Sequence, residues 1–294
     1  MTRRSGWRLL ASFLFIGILF LGSAMVGLTH RASSVERGGF ESHNPAQDSM
    51  LQVGEELEYE VSYSFFTIGT IRIKVVDKEV RKGNIVYKSQ AFIDSNPSLS
   101  WLVDLHIRFY SEMDERVFSY QWISDDSTKK EINFKWFKFD YENNRVLCDK
   151  GKKLPTGERK VEEVDTIAVT EPCEDGLSLF FYARENVRQQ KQVRVPTLIE
   201  KKQEYTFINF MNKRTGVEID AVNYPVEVVE FDGKAEYVGV FGLTGGFRGW
   251  FSNDAARVPI LARMNVILGS IRIELVKWNR AGWQPRRYVE EPDK

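Results

Sequence analysis

Cysteine is scarce in this sequence, with only Cys148 and Cys173 among 294 residues. No paired Cys-x-x-Cys motif occurs, which argues against a thiolate zinc site. In an oxidising compartment the two cysteines could pair, and the closed loop would constrain the unfolded chain by roughly 3 kcal/mol. Sequence spacing leaves two interpretations open, a possible disulfide between Cys148 and Cys173 or two free thiols.

An excess of charge of either sign is also missing, because 41 basic residues balance 41 acidic residues. No basic block interleaves with aromatic residues in the way that a nucleic-acid surface requires. The sequence therefore predicts no nucleic-acid partner.

Recognisable catalytic motifs are absent as well. The sequence contains no Gly-x-Ser-x-Gly elbow, no His-Glu-x-x-His helix and no Gly-Lys-Ser/Thr phosphate loop. The glycine-rich stretch 242–249 joins two expected strands and does not open a helix, so it is not expected to cradle a phosphate. We expect no cofactor, no metal and no enzymatic activity. A glycan hydrolase stays open as an alternative, because paired carboxylates leave no fixed sequence spacing.

The longest hydrophobic run lies near the N-terminus. Arg3, Arg4 and Arg8 precede an apolar stretch over residues 9–28, which is the order of a signal peptide or a membrane anchor. The arginines favour the cytoplasmic side, so the rest of the chain is predicted to be exported to the periplasm or to the periplasmic face of the inner membrane. About 20 apolar residues also suffice for a transmembrane helix, so cleavage and retention both stay open.

The main part of the chain has the hydrophobic alternation of β-strands. Over residues 57–65, Leu57, Tyr59 and Val61 alternate with polar residues, which predicts a strand with one buried face. Similar segments recur up to residue 279. The sequence therefore predicts a mainly β fold, made of antiparallel curved sheets or a partly closed β-barrel.

These patterns divide the chain into four parts. Residues 1–30 are the signal peptide or hydrophobic anchor helix, and residues 31–50 form a flexible spacer rich in Ser, Gly, Glu, Asn and Pro. Residues 51–279 form a single β-rich domain, and residues 280–294 a C-terminal tail.

One short helix is expected inside the β-rich domain. It follows Pro172, and Asp175 can cap its N-terminus. Leu177, Phe180 and Phe181 recur at helical spacing, which continues to about residue 187.

Asp104, His106 and Arg108 lie at i, i+2 and i+4 and would project from one face of a strand. A carboxylate beside an imidazole can act as an acid–base pair or hold a metal. The other two histidines, His30 and His43, lie in the anchor and the spacer. We therefore favour a solvated strand face over a catalytic or metal site.

Residues 250–259 are the most informative local segment. Ser252 and Asp254 are turn formers whose side chains bind backbone groups. Arg257 is placed to pair with Asp254, and Pro259 suits the first position of a strand. Together with Trp250 they predict a structural hairpin, with a ligand or partner site as the alternative.

Three stretches of the sequence follow the pattern of a known family. The first contains Val-Gly-Glu and Leu-Glu-Tyr within 53–59, and the second, Asp-Gly-Leu-Ser at 175–178, marks a short helix. The third runs from the aromatic strand and Ser-x-Asp turn through Arg-Val-Pro at 257–259 to Gly-Ser-Ile at 269–271. This set resembles DUF3108, a family of exported envelope proteins of unassigned function, and the resemblance implies an exported β-dominated fold without a known catalytic set.

The residues and the resemblance together predict a non-enzymatic envelope protein that binds an apolar ligand, such as a lipid, or an envelope partner on a curved sheet. A looser analogy in shape to periplasmic lipoprotein carriers points the same way. The N-terminal segment would contact the membrane, and no protein partner is specified. A structural scaffold and a glycan hydrolase are the alternatives. The aromatic residues behind this expectation, which could also simply fill the core, include Trp101, Trp122, Trp136 and Trp250.

Overall fold

The computed structural model describes residues 50–101, 104–128, 130–235, 245–266 and 269–290. The predicted signal peptide or anchor helix and the spacer lie outside these residues and stay predictions. Among the described residues, the helices are too short or too polar to cross a bilayer. The description that follows concerns the unit that begins at Met50.

Within the described residues the chain forms fourteen strands and one α-helix, with short 3₁₀ turns at Pro97–Leu99 and Tyr141–Asn143. The helix, α1, spans Ser178–Asn186 and lies between the eighth and ninth strands. The strands are β1 (Glu56–Tyr63), β2 (Phe66–Arg81), β3 (Asn84–Ser95), β4 (His106–Asp114), β5 (Ser119–Ser127), β6 (Ile132–Asp140), β7 (Arg145–Lys153), β8 (Arg159–Ala168), β9 (Lys191–Ile199), β10 (Lys202–Val217), β11 (Val226–Ala235), β12 (Gly245–Ser252), β13 (Pro259–Asn265) and β14 (Ser270–Asn279).

All fourteen strands belong to one antiparallel sheet. Its order is β8-β7-β6-β5-β4-β3-β2-β1-β14-β13-β12-β11-β10-β9. Consecutive strands of the sequence are therefore paired in the sheet, except that β8 and β9 form its two edges. At the centre, β1 pairs with β14, the first strand with the last. This arrangement confirms a mainly antiparallel β fold with one helix.

The burial of β1 follows the alternation in its sequence. Leu57, Tyr59 and Val61 are buried, whereas the glutamates between them are partly exposed. On the β14 side, Tyr59 lies opposite Leu275, which is also buried. One face of the central strands is therefore apolar and covered, as the period of two predicts.

The sheet does not close into a continuous ladder between its edges. Among the described residues, β8 pairs in the sheet with β7 and β9 with β10. A single parallel bridge joins Glu174, just after β8, to Thr197 in β9, and Lys201 forms ion pairs with Glu163 and with Asp165, the latter at 2.6 Å. The edges therefore meet through one backbone bridge and charged side chains.

Helix α1 fills the space inside the curve of the sheet. Leu177 and Phe181 pack in the largest apolar cluster with residues of β1, β2 and β14. Ala183 and Val187 pack in a second cluster with residues of β9 to β12. Because α1 contacts both halves of the sheet, side chains occupy the interior where an apolar ligand was expected.

The N-terminus of α1 is capped by a buried carboxyl group. One oxygen of Asp175 accepts hydrogen bonds from the backbone N–H groups of Leu177 at 2.6 Å and Ser178 at 2.9 Å. This confirms the cap that the sequence predicted, although regular helix begins only at Ser178. The other oxygen accepts from the hydroxyls of Ser111 at 2.6 Å and Ser119 at 2.8 Å, which ties the helix to β4 and β5.

The opposite end of α1 is held by a buried arginine. The side chain of Arg184 is fully buried and binds both carboxylate oxygens of Glu55, at 2.5 and 2.8 Å. Its guanidinium also donates to the backbone carbonyl of Ala256 at 3.0 and 2.9 Å. Burial raises the pKa of Glu55, but Arg184 and Arg280 outweigh this effect and hold the pKa below its usual range.

The predicted C-terminal tail packs onto the domain as far as it is described. Arg280 contacts the Glu55 carboxylate, and Trp283 is buried with its ring nitrogen 2.8 Å from a carboxylate oxygen of Asp254. Arg287 forms an antiparallel bridge with Val226 at the start of β11. The packed domain therefore extends from residue 50 to about residue 290.

Replacing Arg184 with Met is expected to lower the free energy of unfolding by about 3–5 kcal/mol, because Glu55 would keep its charge in a buried position with one partner fewer. Urea denaturation followed by circular dichroism measures this loss. Arg188→Met is the matched control, because Arg188 is exposed just after the same helix and makes one long hydrogen bond, 3.4 Å, to Asn253. Equal midpoints for the two variants would contradict the role assigned to the Glu55–Arg184 pair.

Candidate functional site

The described part of the domain contains an open groove of about 1090 Å³. Strands β11 to β14 form one side of it, and the connection between β10 and β11 forms the other. This connection is fixed to β14, because the backbone N–H of Asp220 donates to Glu274 at 2.6 Å and Arg272 donates to the carbonyl of Glu218 at 3.1 Å. We call this depression the arginine groove, for the three arginines that line it.

The three arginines stand in register on neighbouring strands. Arg248 of β12 lies directly opposite Arg263 of β13, and Arg263 lies directly opposite Arg272 of β14. Directly opposed residues of antiparallel strands project from the same face with their Cβ atoms about 5 Å apart. Three positive charges therefore form a row along the groove, and Asp232 of β11, directly opposite Arg248, continues the row with a negative charge.

The two outer arginines of the row have carboxylate partners, whereas none is recorded for Arg263 in the middle among the described residues. Arg248 lies 3.3 Å from Glu230, and Arg272 donates to Glu274 at 2.6 Å. Within the described residues the structure records no ion pair or hydrogen bond for the guanidinium of Arg263, which is exposed. Among the side chains that the structure describes, none therefore competes with an anion for the middle of the row.

Apolar side chains adjoin the row. Trp250 and Leu261 lie two residues from Arg248 and Arg263 along their strands, on the same face, and both line the groove. The groove thus combines guanidinium groups with an indole ring and an aliphatic side chain. This chemistry suits a ligand with an anionic group beside an apolar part.

The predicted hairpin at 250–259 is structural. The Ser252 hydroxyl donates to Asp254 at 2.9 Å and accepts from the backbone N–H of Val258 at 2.8 Å. Pro259 is the first residue of β13, as its missing N–H predicted, and its carbonyl accepts a hydrogen bond from Tyr59. Of the residues singled out in this segment (Trp250, Ser252, Asp254, Arg257 and Pro259), Trp250 lines the groove.

The pairing expected for Arg257 differs in the structure. Its guanidinium binds Glu185 of α1, at 3.0 Å from the carboxylate and 3.2 Å from the carbonyl. Only its backbone N–H donates to Asp254, at 3.1 Å. The hairpin thereby docks on the helix, a long-range contact that the local sequence does not reveal.

Asp104, His106 and Arg108 meet a fourth residue that the sequence did not indicate. Asp94 of β3 accepts from His106 at 2.7 Å and from Arg108 at 2.8 Å, and Asp104 lies 3.4 Å from the other ring nitrogen of His106. Burial raises the pKa of Asp94, but its bonds to Arg108 and His106 outweigh burial and lower it. Among the described residues no group of three or more His, Cys, Asp or Glu side chains is arranged to hold a metal ion. The contacts recorded for this cluster are those of a partly exposed ion-pair network.

The four tryptophans singled out in the sequence have different surroundings. Trp122 stacks between Phe109 and Phe137, with ring centroids 5.3 and 5.1 Å away. Trp136 donates to Gln121 at 3.0 Å. These two rings pack on the sheet, whereas Trp250 lines the groove and Trp101 is exposed.

The buried acidic residue beside the helix cap has no fixed partner. Glu174 is fully buried, and neither of its carboxyl oxygens has a hydrogen-bond partner among the described residues. Burial raises the pKa of Glu174 well above its ordinary range, and burial also raises the pKa of Asp175 against the effect of its hydrogen bonds. Sequence reasoning missed Glu174, because nothing local marks it as buried.

Both cysteines are free thiols in the structure. Cys148 and Cys173 are buried in the same apolar cluster, and burial raises the pKa of the first to about 11 and of the second to about 12. Buried thiols of this kind are poor nucleophiles. A disulfide between them under oxidising conditions stays a prediction.

The fold is that of a β-barrel-like domain. It is similar to the crystal structure of a beta-barrel-like protein of the domain of unknown function DUF1849 from Brucella abortus, with a TM-score of 0.52 and 10% sequence identity over 77% of this chain and 97% of that chain. By sequence the chain belongs to DUF3108, a family of unknown function whose pattern matches residues 58–276. No curated protein matches the chain.

Glu174→Gln is expected to flatten the dependence of stability on pH. The raised pKa of Glu174 in the fold means that its contribution to stability is complete below the unfolded value, about 4.3, and is lost as the pH rises towards the folded value. Glutamine does not titrate, so the variant should gain stability relative to the wild type as pH rises from 5 to 8. Each unit of pKa difference is worth about 1.4 kcal/mol.

Thermal or urea unfolding across this pH range measures the effect. The control is Glu142→Gln, because Glu142 is exposed in the turn between β6 and β7. A parallel pH profile for Glu174→Gln and the wild type would show that Glu174 ionises normally in the fold.

Proposed function

We propose that this protein is an exported or membrane-tethered envelope protein that acts by binding, without catalysis, and that its ligand places an anionic group in the arginine groove. The row of Arg248, Arg263 and Arg272 is the observation that carries the proposal. The apolar part of the ligand would lie against Trp250 and Leu261. The ligand is accordingly an anionic amphiphile.

The electrostatics of the row support this assignment. Like charges directly opposite each other in a sheet destabilise it. Glu230 and Glu274 offset this repulsion at Arg248 and Arg272, whereas no carboxylate partner is recorded for Arg263 among the described residues. A phosphate or carboxylate bound at Arg263 would reduce the repulsion and could accept paired N–H bonds from the planar guanidinium. Binding would therefore supply a counter-charge at Arg263.

The position of the groove changes the initial expectation for the ligand. An acyl chain enclosed by the curved sheet is not supported, because α1 and its clusters fill that space. The arginine groove is open, and its apolar residues Trp250 and Leu261 are largely buried in the same cluster as Leu177 and Phe181, so mainly its polar side is accessible. It suits the polar end of an amphiphile better than a fully buried hydrocarbon chain.

The alternative functions have weaker support. A glycan hydrolase needs an accessible acid with a raised pKa. Among the described residues the acids with a raised pKa are Glu174 and Asp175, and both are buried beside α1. A scaffold has one specific feature in its favour, the unpaired edge of β8. However, that strand carries several charged residues, among them Lys160, Glu162 and Glu163. Charged side chains protect an edge strand from pairing with other chains, so the edge gives the scaffold little support.

Titration of the purified full-length protein with a lysophosphatidylglycerol below its micelle concentration tests the proposal. Isothermal calorimetry should show binding that weakens with salt, and weaker binding of the lysophosphatidylcholine of equal chain length. Arg263→Gln should reduce the affinity roughly tenfold, the loss expected for one charge-assisted hydrogen bond. Arg188→Gln, which removes an exposed arginine outside the groove, should leave the affinity unchanged.

One further titration separates the contribution of the ligand's anionic group from that of its acyl chain. Inorganic phosphate should bind more weakly than the lysolipid if the apolar neighbours contribute. Equal affinities for the anionic and zwitterionic lysolipids, or equal losses in the two arginine variants, would overturn the proposed site.

A further inference from the structure

Large aromatic side chains are exposed at one end of the sheet. Phe65 is 82% exposed, Phe66 56% and Trp101 77%. Phe65 lies at the tip of the β1–β2 hairpin, because Tyr63 and Phe66 pair across a two-residue turn. Burying these rings at an interface would remove a large apolar area from water.

The three residues belong to one surface. Trp101 lies in the connection from β3 to β4, which begins at the same end of the sheet as the β1–β2 hairpin. Asn96 joins the two connections, because its side chain donates to the carbonyl of Thr67 at 2.8 Å and its backbone N–H to that of Ile68 at 2.9 Å. We call Phe65, Phe66 and Trp101 the aromatic tip.

The turns at the other end of the same strands are polar. Lys82 and Gly83 join β2 to β3, and Glu115 and Arg116 lie between β4 and β5. Val80 is exposed near this other end, but the strongly exposed aromatic rings of the described residues lie at the end of Phe65 and Phe66. An asymmetry of this kind is expected where one end of a protein meets an apolar phase.

The arginine row lies near the same end. Arg272 is directly opposite Ser62 on β1, which precedes Phe65 by three residues. At about 3.3 Å per residue along a strand, the row is roughly 10 Å from the tip. Arginine side chains at this distance can reach lipid headgroups while aromatic rings occupy the membrane–water interface.

We propose that the aromatic tip docks on a bilayer that contains anionic lipid, and that the arginine row binds headgroups of that bilayer. The inference rests on the proposed function, because it assigns membrane phospholipid as the source of the anionic group. Charge complementarity supports a lipid surface as the occupant, since arginines near an anionic bilayer gain free energy that a zwitterionic one does not supply.

The predicted tether is compatible with this orientation. The folded unit begins at Met50, close to the start of β1, whereas the aromatic tip lies beyond its end. The eight residues of β1 span about 26 Å, so the start of the folded unit and the aromatic tip lie at opposite ends of this strand.

A site-specific fluorescent label tests the docking. Phe65→Cys, labelled with an environment-sensitive fluorophore in the full-length chain, is reconstituted into phosphatidylcholine vesicles with or without phosphatidylglycerol. Val80→Cys is the matched control, because Val80 is 75% exposed near the opposite end of β2. Cys148 and Cys173 are buried with raised pKa values and should not label in the folded protein.

The expected result is a blue shift and quenching by brominated lipid at position 65 in vesicles with phosphatidylglycerol, and neither at position 80. Introducing Arg263→Gln into the protein labelled at position 65 should reduce the ratio of docked to undocked protein about fivefold. This is the effect expected for the loss of one arginine near an anionic surface. A label at position 65 that stays in water, equal quenching at both positions, or equal quenching without phosphatidylglycerol would overturn the docking.

Failure of the docking can be separated from failure of the proposed function. The double variant Phe65→Ser/Phe66→Ser should lose quenching of a label placed at Trp101→Cys but keep its affinity for monomeric lysophosphatidylglycerol. Lysolipid binding without docking would refute only the membrane assignment. Docking through the aromatic tip without lysolipid binding would refute the groove as the ligand site, and with it the binding of headgroups by the arginine row.

Discussion

The enclosure of α1 by the sheet is the constraint on which the other features of this domain depend. A nine-residue helix is too short to be stable alone in water, and both of its ends are held by buried polar groups, Asp175 at the start and Arg184 near the end. These contacts reach β4, β5, the residue before β1 and the β12–β13 turn. Because the helix occupies the inside of the curve, an accessible binding surface has to lie on the outer side or at the ends of the strands. The aromatic tip is in such a position, and the exposed Arg263 makes the arginine groove accessible.

Much of the fold follows from patterns that are local in the sequence. The alternation over 57–65 predicted β1, the cap at Asp175 predicted α1 to within a few residues, and the missing N–H of Pro259 predicted the start of β13. These features depend on hydrogen bonding and side-chain direction within a few residues. The pairing of β1 with β14 and the position of the helix inside the sheet depend on long-range contacts, so local patterns did not specify them.

The candidate site was less predictable for the same reason. Arg248, Arg263 and Arg272 are 15 and 9 residues apart in sequence, with no motif among them, and form a row only through the registers of β12, β13 and β14. Asp94 was likewise found only when β3 was placed beside β4. In contrast, the segment 250–259 is conspicuous in the sequence because it is rich in turn formers. Its polar side chains stabilise the turn and bind the helix. Local composition identified the structural residues, and register identified the functional candidates.

The pairing of the first strand with the last has a consequence for the biogenesis of the protein. Glu56 lies opposite Asn279, so the centre of the sheet cannot form until nearly the whole domain has been synthesised. Contacts at such sequence separation close late and slowly. A chain that crosses a membrane from its N-terminus would therefore stay without its central pair during transit, in the unfolded form that a narrow translocation channel accepts, and would complete the sheet only after β14 emerged. In a chain exported in this way, the topology itself would delay folding until delivery is finished.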